Sequence, residues 1–253
     1  MHVPSESELL GRWERGWSQA PPLRALTLMA AAMPDLSPTA LGRMTVGQRE
    51  GVLLRLRERL FGDAMTGWAD CPACGVRTEF NVRTGDLLSL DGLPEDGKGG
   101  SVVVVEGGYE VHARLPNGED LVAVAGDCEI EASRAALIER CVLRAVDRVG
   151  VRAEGVAVST ANLPGAVLDA VSRRMAEADP LADIRLTLSC PSCPSRWSVA
   201  FDVAEFLWAE VDVWARRLLL DVHSLASAYG WDEPTVLALT PCRRACYLGM
   251  VRG

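Results

Sequence analysis

Apolar residues recur every three or four positions along the first 65 residues, which is the spacing of amphipathic helices. Helices are therefore predicted over residues 5–17, 21–34 and 45–61. Ser5 and Glu8 have the spacing of a helix-capping pair, but Glu8 begins the apolar run, so the signature is incomplete. The third helix carries an arginine run that we interpret as its solvent-facing side, namely Arg55, Arg57 and Arg59.

Between residues 77 and 201, stretches that alternate apolar and polar positions indicate strands. The predicted strands are 77–82, the two halves of 101–115 on either side of Gly107-Gly108, 183–189 and 195–201. Segments with helical spacing lie among them, at 117–125, 131–146 and 161–179. The composition of 91–100 is that of a flexible loop.

Helical spacing returns at Asp202 and continues to a break at Gly230. Asp232 is predicted to cap a short helix through Leu239, and Thr240 a final helix through Val251. The pattern therefore predicts a helix-rich α+β fold. Its small antiparallel β region is flanked by helices at both ends of the chain.

We expect a single composite domain over residues 1–253, with three segments. Residues 1–65 form an N-terminal helical segment, 66–201 a β middle with a helical insertion, and 202–253 a C-terminal helical segment.

Charge and composition limit the classes of function that this chain can have. The chain has 253 residues, 49% of them hydrophobic, and a net charge of −8, which argues against a nucleic-acid or anionic-membrane surface. Neither a secretory signal nor a membrane-spanning stretch is recognised, so a cytoplasmic protein with reduced thiols is expected. The eight cysteines then indicate metal binding or buried thiols rather than disulfides.

Two Cys-x-x-Cys pairs stand out, Cys71 with Cys74 and Cys190 with Cys193. Each pair is followed by a predicted strand, as in zinc ribbons, whereas redox pairs precede a helix. We therefore predict one structural Zn²⁺ site with four thiolate ligands and no open position for substrate. The 115 residues between the pairs must then form a folded insertion. Redox pairs and unliganded thiols stay open as alternatives.

The remaining cysteines are expected to be core or half-buried thiols. They are Cys128, Cys141, Cys242 and Cys246.

No catalytic or cofactor-binding residues are recognised. His2, His112 and His223 have no catalytic partner nearby in sequence, and a packed or capping role is expected for His223. Phosphate-binding, hydrolase and metalloprotease motifs are missing from the sequence. We therefore expect a protein that is not an enzyme and has no small-molecule substrate.

The last fifty residues contain a fairly specific motif. It consists of a Val-His-x-Leu-Ala-x-x-Tyr-Gly-Trp run at 222–231 and an Arg-Arg-x-x-Tyr-Leu run at 243–248. The Arg-Leu-Pro segment at 114–116, with Asp120 and Leu121, adds to it. These features resemble the baseplate hub assembly proteins of T-even-type phages, as found in phage-tail-like contractile injection systems.

The resemblance implies a non-enzymatic assembly factor (chaperone) or structural component of the baseplate hub. Its partners would be hub, spike or wedge proteins, in the cytoplasm or within an assembled tail-like particle. The Arg- and Ala-rich composition favours an injection system over a phage. The alternative is a zinc-ribbon protein that binds nucleic acid or acts in transcription, which the acidic charge opposes.

Overall fold

The computed structural model describes residues 1–89, 100–125, 129–148 and 156–252. The predicted loop at 91–100 therefore lies almost wholly outside the described residues, as does Cys128.

The first 62 residues form the three predicted helices and one short helix that was not predicted, at 38–42. They are α1 (Glu6–Gly16), α2 (Pro21–Ala32), α3 (Pro38–Gly42) and α4 (Val46–Phe61). The capping signature at Ser5 is complete after all, because Ser5 and Glu8 exchange both of their hydrogen bonds. Thr45 and Gln48 cap α4 in the same way, and Gly62 ends that helix with a φ of 91°.

The strands of the described part form three separate antiparallel sheets. They are β1 (Ala64–Asp70), β2 (Arg77–Arg83), β3 (Ser101–Glu106), β4 (Tyr109–Arg114), β5 (Val142–Asp147), β6 (Val156–Ala157), β7 (Arg185–Ser189) and β8 (Arg196–Ala200). The hairpin β1–β2 is one sheet, β7–β8 is another, and β3-β4-β5-β6 is the third.

The helices of the chain's middle are α5 (Thr84–Leu88), α6 (Gly118–Val124), α7 (Ile130–Cys141) and α8 (Gly165–Ala178). The helix predicted over 131–146 is wrong in its last turn, since the chain leaves α7 at Cys141 and becomes β5, which pairs with β4. The helix predicted over 161–179 begins four residues late, at Gly165.

The C-terminal helices are α9 (Val203–Tyr229), α10 (Glu233–Leu237) and α11 (Pro241–Arg252). Asp202 caps α9, and Gly230 ends it in the left-handed region with a φ of 69°. The helices predicted here are confirmed. The helix-rich α+β class with small antiparallel sheets is confirmed as well.

Three clusters of buried apolar residues hold these elements together. The largest joins the N-terminal helices to α9, through residues such as Leu28, Leu53 and Leu207. A second lies between the four-stranded sheet and α8, around Val111 and Val171. The third lies where the C-terminal helices meet, at Val222, Leu225, Val236 and Leu248. The division of the chain at residues 65 and 201 stays a prediction.

The start of α4 holds the middle of the chain in place. The N–H of Val46 donates to the carbonyl of Pro116 at 3.0 Å. The N–H of Gly47 donates to Oδ2 of Asp179 at 2.9 Å, so a carboxylate lies at the positive end of the helix dipole. Two distant points of the inserted segment therefore contact one helix end.

Within the described ranges, no helix has both the length and the apolar character needed to cross a membrane.

Candidate metal centre

The two Cys-x-x-Cys pairs lie in equivalent loops. In the first hairpin the loop of residues 71–76 follows the closing pair Asp70–Arg77, and in the second residues 190–195 follow Ser189–Arg196. The N–H of Cys71 donates to the carbonyl of Val76 at 3.0 Å, and that of Cys190 to Ser195 at 3.0 Å. The same six-residue loop is therefore built twice.

The two loops differ in their backbone hydrogen bonds at the fifth position. Gly75 adopts a φ of 73° and donates its N–H to the carbonyl of Cys71 at 2.8 Å. Pro194 occupies the equivalent place in the second loop, and proline has no N–H to donate. Both loops nevertheless direct an N–H group to their first sulfur, from Ala73 to Cys71 and from Ser192 to Cys190, the latter at 3.4 Å.

The structure brings the four sulfurs together. The Sγ atoms of Cys71 and Cys193 are 3.8 Å apart, and those of Cys74 and Cys190 are 3.6 Å apart. All four lie within 4.8 Å of one another. A disulfide needs about 2.05 Å, so these are not disulfides. A tetrahedron with Zn–S bonds of about 2.3 Å has edges of about 3.8 Å, close to these two separations, so the four sulfurs could hold one metal ion.

The thiols of this cluster differ in pKa. Burial disfavours the thiolate of Cys71, but N–H groups of Ala73 and Cys74 and neighbouring thiols hold its pKa at about 6. The N–H of Val76 favours the thiolate of Cys74, yet hydrogen bonds with Cys190 and burial raise the pKa of Cys74 to about 12. A bound cation would compensate the charge of four thiolates and so favour the deprotonated form of all four cysteines.

The cluster lies at the protein surface. Cys71 is buried, Cys190 and Cys193 are half-buried, and Cys74 is exposed. Behind it the two hairpins also meet through aromatic rings, because Phe80 on β2 lies edge-to-face against Phe201 at 6.2 Å. Phe201 in turn contacts Phe206 of α9 at 5.3 Å. The cysteines thus lie at the outer end of a packed contact between the hairpins.

The other cysteines depart partly from expectation. Cys141 is fully buried, and that burial raises its pKa to about 11. Cys242 and Cys246 are exposed, so their prediction as core or half-buried thiols is wrong. Both lie on solvent-facing positions of α11.

The hydrogen bonds of His2 and His112 are made with glutamates and not with the cysteine cluster. His2 contacts Glu8 at 3.3 Å and His112 contacts Glu110 at 2.7 Å. His223 is exposed on α9, so a packed role for it is wrong, and the capping role stays a prediction. Among the described residues, the four cysteines are the one group of three or more His, Cys, Asp or Glu side chains close enough to hold a metal.

Sequence reasoning missed the buried ion pairs that join distant elements. Arg57 was interpreted as solvent-facing, but it is buried and donates two hydrogen bonds to Glu210 of α9, at 2.9 and 2.7 Å. Arg244 donates two to Glu6 of α1, at 2.6 and 2.8 Å. No local signal in the sequence marked Arg57, because its burial depends on Glu210, which lies 153 residues further along the chain.

The Arg-Leu-Pro segment also has a structural role. Arg114 and Arg140 both donate to the carboxylate of Asp120, at 2.8 and 2.9 Å to Oδ1. Asp120 also accepts the N–H of Asn117 at 3.1 Å and so completes the cap of α6. One buried carboxylate therefore joins β4, α6 and α7.

Comparison with known proteins gives one match. No curated protein and no solved structure matches the chain. A family model described as "T4 bacteriophage base plate protein" matches residues 28–208, well over half of the chain. The matched range contains both cysteine loops and the segment between them, and it ends before the C-terminal motif. The chain therefore belongs to the T4 bacteriophage base plate protein family.

Proposed function

We propose that this protein acts at the baseplate hub of a contractile phage tail or phage-tail-like injection system, as an assembly factor or a structural component. Membership of the base plate family supports a structural or assembly role. The hub in particular is supported by the motif at 222–231 and 243–248, which lies outside the matched range. Hub, spike or wedge proteins are the proposed partners, and catalysis has no part in this role.

The proposal includes one structural zinc ion, held by Cys71, Cys74, Cys190 and Cys193. The sulfur separations of 3.8 and 3.6 Å carry this part of the proposal. Four thiolates leave no open coordination position, so the metal supplies a cross-link and no chemistry on a substrate. The zinc-ribbon-like description rests on the same four residues.

The metal would cross-link two hairpins that are distant in sequence. The hairpins β1–β2 and β7–β8 are separated in sequence by the whole inserted segment, yet their loops meet. Joining them closes a long loop, and metal binding adds directly to the free energy of folding. The bases of both hairpins pack near α9, so the metal would hold the surfaces that partners contact in a fixed arrangement.

Binding of the neighbouring tail proteins tests the role. The full chain would be co-expressed with each hub, spike and wedge protein encoded beside its gene, and complexes would be isolated through a tag on this chain. We expect a complex with at least one hub or spike protein. Failure to bind any of them, together with normal particles from a strain lacking this chain, would contradict the proposal.

The same strains separate the two forms of the role. A structural component is found in purified particles by mass spectrometry at a fixed number of copies. An assembly factor is missing from the particles, although its deletion prevents the hub from forming.

A further inference from the structure

Helix α9 carries an apolar stripe that begins at Phe206, which packs on Phe201, and continues into two residues without a partner among those described, Val213 and Leu220. Val213 and Leu220 are 67% and 65% exposed, far more than apolar residues of a packed helix. Phe206 lies seven residues before Val213, and Leu220 seven residues after it, so all three share one side of the helix. The 27-residue helix thus buries one side against α1, α2 and α4 and presents a second apolar side to solvent.

Phe206 and Val213 of this stripe line a groove. Its wall is made by Phe61, at the end of α4, and by Thr66 on β1, with Trp214 on the other side. The groove therefore lies between α9, the end of α4 and β1.

The arrangement of the stripe is the same in both directions along the helix. Val213 lies midway between Phe206 and Leu220, so reversing the helix about Val213 exchanges those two apolar positions. An interface between two identical copies around a two-fold axis requires this kind of self-complementarity.

Charge follows the same pattern. Arg217 is exposed and has no ion-pair partner within the described part of the chain, in contrast to Arg216, which pairs with Asp212. Glu210 precedes Val213 along the helix, whereas Arg217 follows it. The buried Arg57 pairs with Glu210, whose side chain is still 27% exposed. In two antiparallel copies of α9, Arg217 of one would face Glu210 of the other.

We infer that this surface of α9 binds a second copy of the same chain, with the two α9 helices antiparallel and a two-fold axis at Val213. Val213 packs on its own symmetry mate, Phe206 on Leu220 of the other copy, and Arg217 pairs with Glu210 of the other copy. This inference does not depend on the baseplate role.

The length over which the two α9 helices overlap determines the expected affinity of the dimer. With the axis at Val213, residues 203–223 of the two helices overlap over about 30 Å. A contact of one helix pair with a short wall lies at the small end of specific interfaces. The dimer is therefore expected to dissociate at micromolar concentration.

Sedimentation equilibrium of the full chain tests this, over about 1–200 micromolar. The wild-type chain should pass from one chain mass to two as concentration rises. Val213→Asp should weaken the dimer by more than about tenfold, because two carboxylates would meet at the axis. Arg217→Glu should also weaken it, since it places an acid opposite Glu210.

The matched control is Leu143→Asp on β5, where the wild-type side chain is 63% exposed, close to the value for Leu220. It should dimerise like wild type, and circular dichroism should show all variants folded. A monomer throughout the concentration range, an oligomer other than a dimer, or a dimer unaffected by Val213→Asp would overturn the inference.

Discussion

Individual charged residues carry much of the contact between helices that are distant in sequence. Arg57 is 3% exposed, and its guanidinium binds both carboxylate oxygens of Glu210 and the carbonyl of Gly62 at 2.6 Å. A buried charge of this kind costs desolvation energy, and removing one partner leaves the other uncompensated. The pair therefore fixes how α4 lies on α9 more than it adds to net stability.

Replacing Arg57 by methionine should lower the free energy of unfolding by about 3 kcal/mol, because Glu210 loses its partner in a half-buried place. Urea unfolding measures this loss. Arg59→Met, at an exposed position of the same helix, is the control and should cost less than about 0.5 kcal/mol. Equal losses for both variants would show that the buried pair has no special role.

A glycine at the start of α4 has a steric requirement. A Cβ on Gly47 would lie 1.7 Å from Oδ1 of Asp179, so Gly47→Ala should push this carboxylate away from the helix end. We expect a loss of about 2 kcal/mol, the sum of overpacking and a lost charged hydrogen bond.

Gly11→Ala is the matched control for that variant. Gly11 lies inside α1, and a Cβ there has no neighbour within 4 Å. Alanine should therefore stabilise the chain by about 0.5–1 kcal/mol. Thermal unfolding of both variants should show opposite shifts in Tm, and a stabilised Gly47→Ala would contradict the assigned contact.

At the scale of elements, the turn between β4 and α6 depends on Asp120. Burial disfavours its charge, but hydrogen bonds from Arg114, the Asn117 N–H and Arg140 hold the pKa of Asp120 below its usual value. A depressed pKa in the folded state contributes stability above the ordinary pKa of an aspartate. That contribution is lost as the pH falls through the folded-state pKa.

Asp120→Asn should therefore cost about 3 kcal/mol at pH 7, because two arginines lose their shared carboxylate. Glu119→Gln is the control, because the Glu119 carboxylate is half exposed and its ion pair with Arg43 is long, at 4.0 Å. It should change stability by less than about 0.5 kcal/mol. Chemical unfolding at pH 7 compares the two, and a neutral Asp120→Asn would contradict the role of this carboxylate.

The elements also show how far sequence patterns reach. The helices with clear caps at Thr45 and Asp202 were predicted to within a residue or two, because capping and spacing are local signals. The strand β5 was mistaken for helix, since Val142–Asp147 continues an apolar pattern that only pairing with β4 resolves. The strand β1 is as long as β2 but was missed, because Gly67 interrupts its pattern of side chains; Gly67 packs closely against Phe80.

The cysteine loops were the clearest signal in the sequence. Their spacing and the strands that follow them are local features, so both could be predicted. The burial of Arg57 and the exposure of Cys242 could not, because each depends on which surface a distant helix covers. Pairing of the two loops across the insertion was a hypothesis that only the three-dimensional positions of the sulfurs could support.

At the scale of the whole molecule, one contact joins two hairpins that lie far apart in sequence. The inserted sheet and α8 have their own buried cluster, and they contact the start of α4 at Pro116 and Asp179. A metal at the four cysteines would close the same segment at its two ends. Loss of the metal should therefore affect the stability of the whole chain rather than one loop.

The most direct test is the metal content of the purified chain, combined with X-ray absorption at the zinc edge. We predict one zinc per chain with four sulfur ligands at about 2.3 Å. Cys71→Ser and Cys190→Ser should each lose zinc and lower Tm, whereas Cys242→Ser, at an exposed cysteine, should do neither. Two metals per chain, fewer than four sulfur ligands, or a zinc-free Cys71→Ser with wild-type Tm would contradict the account.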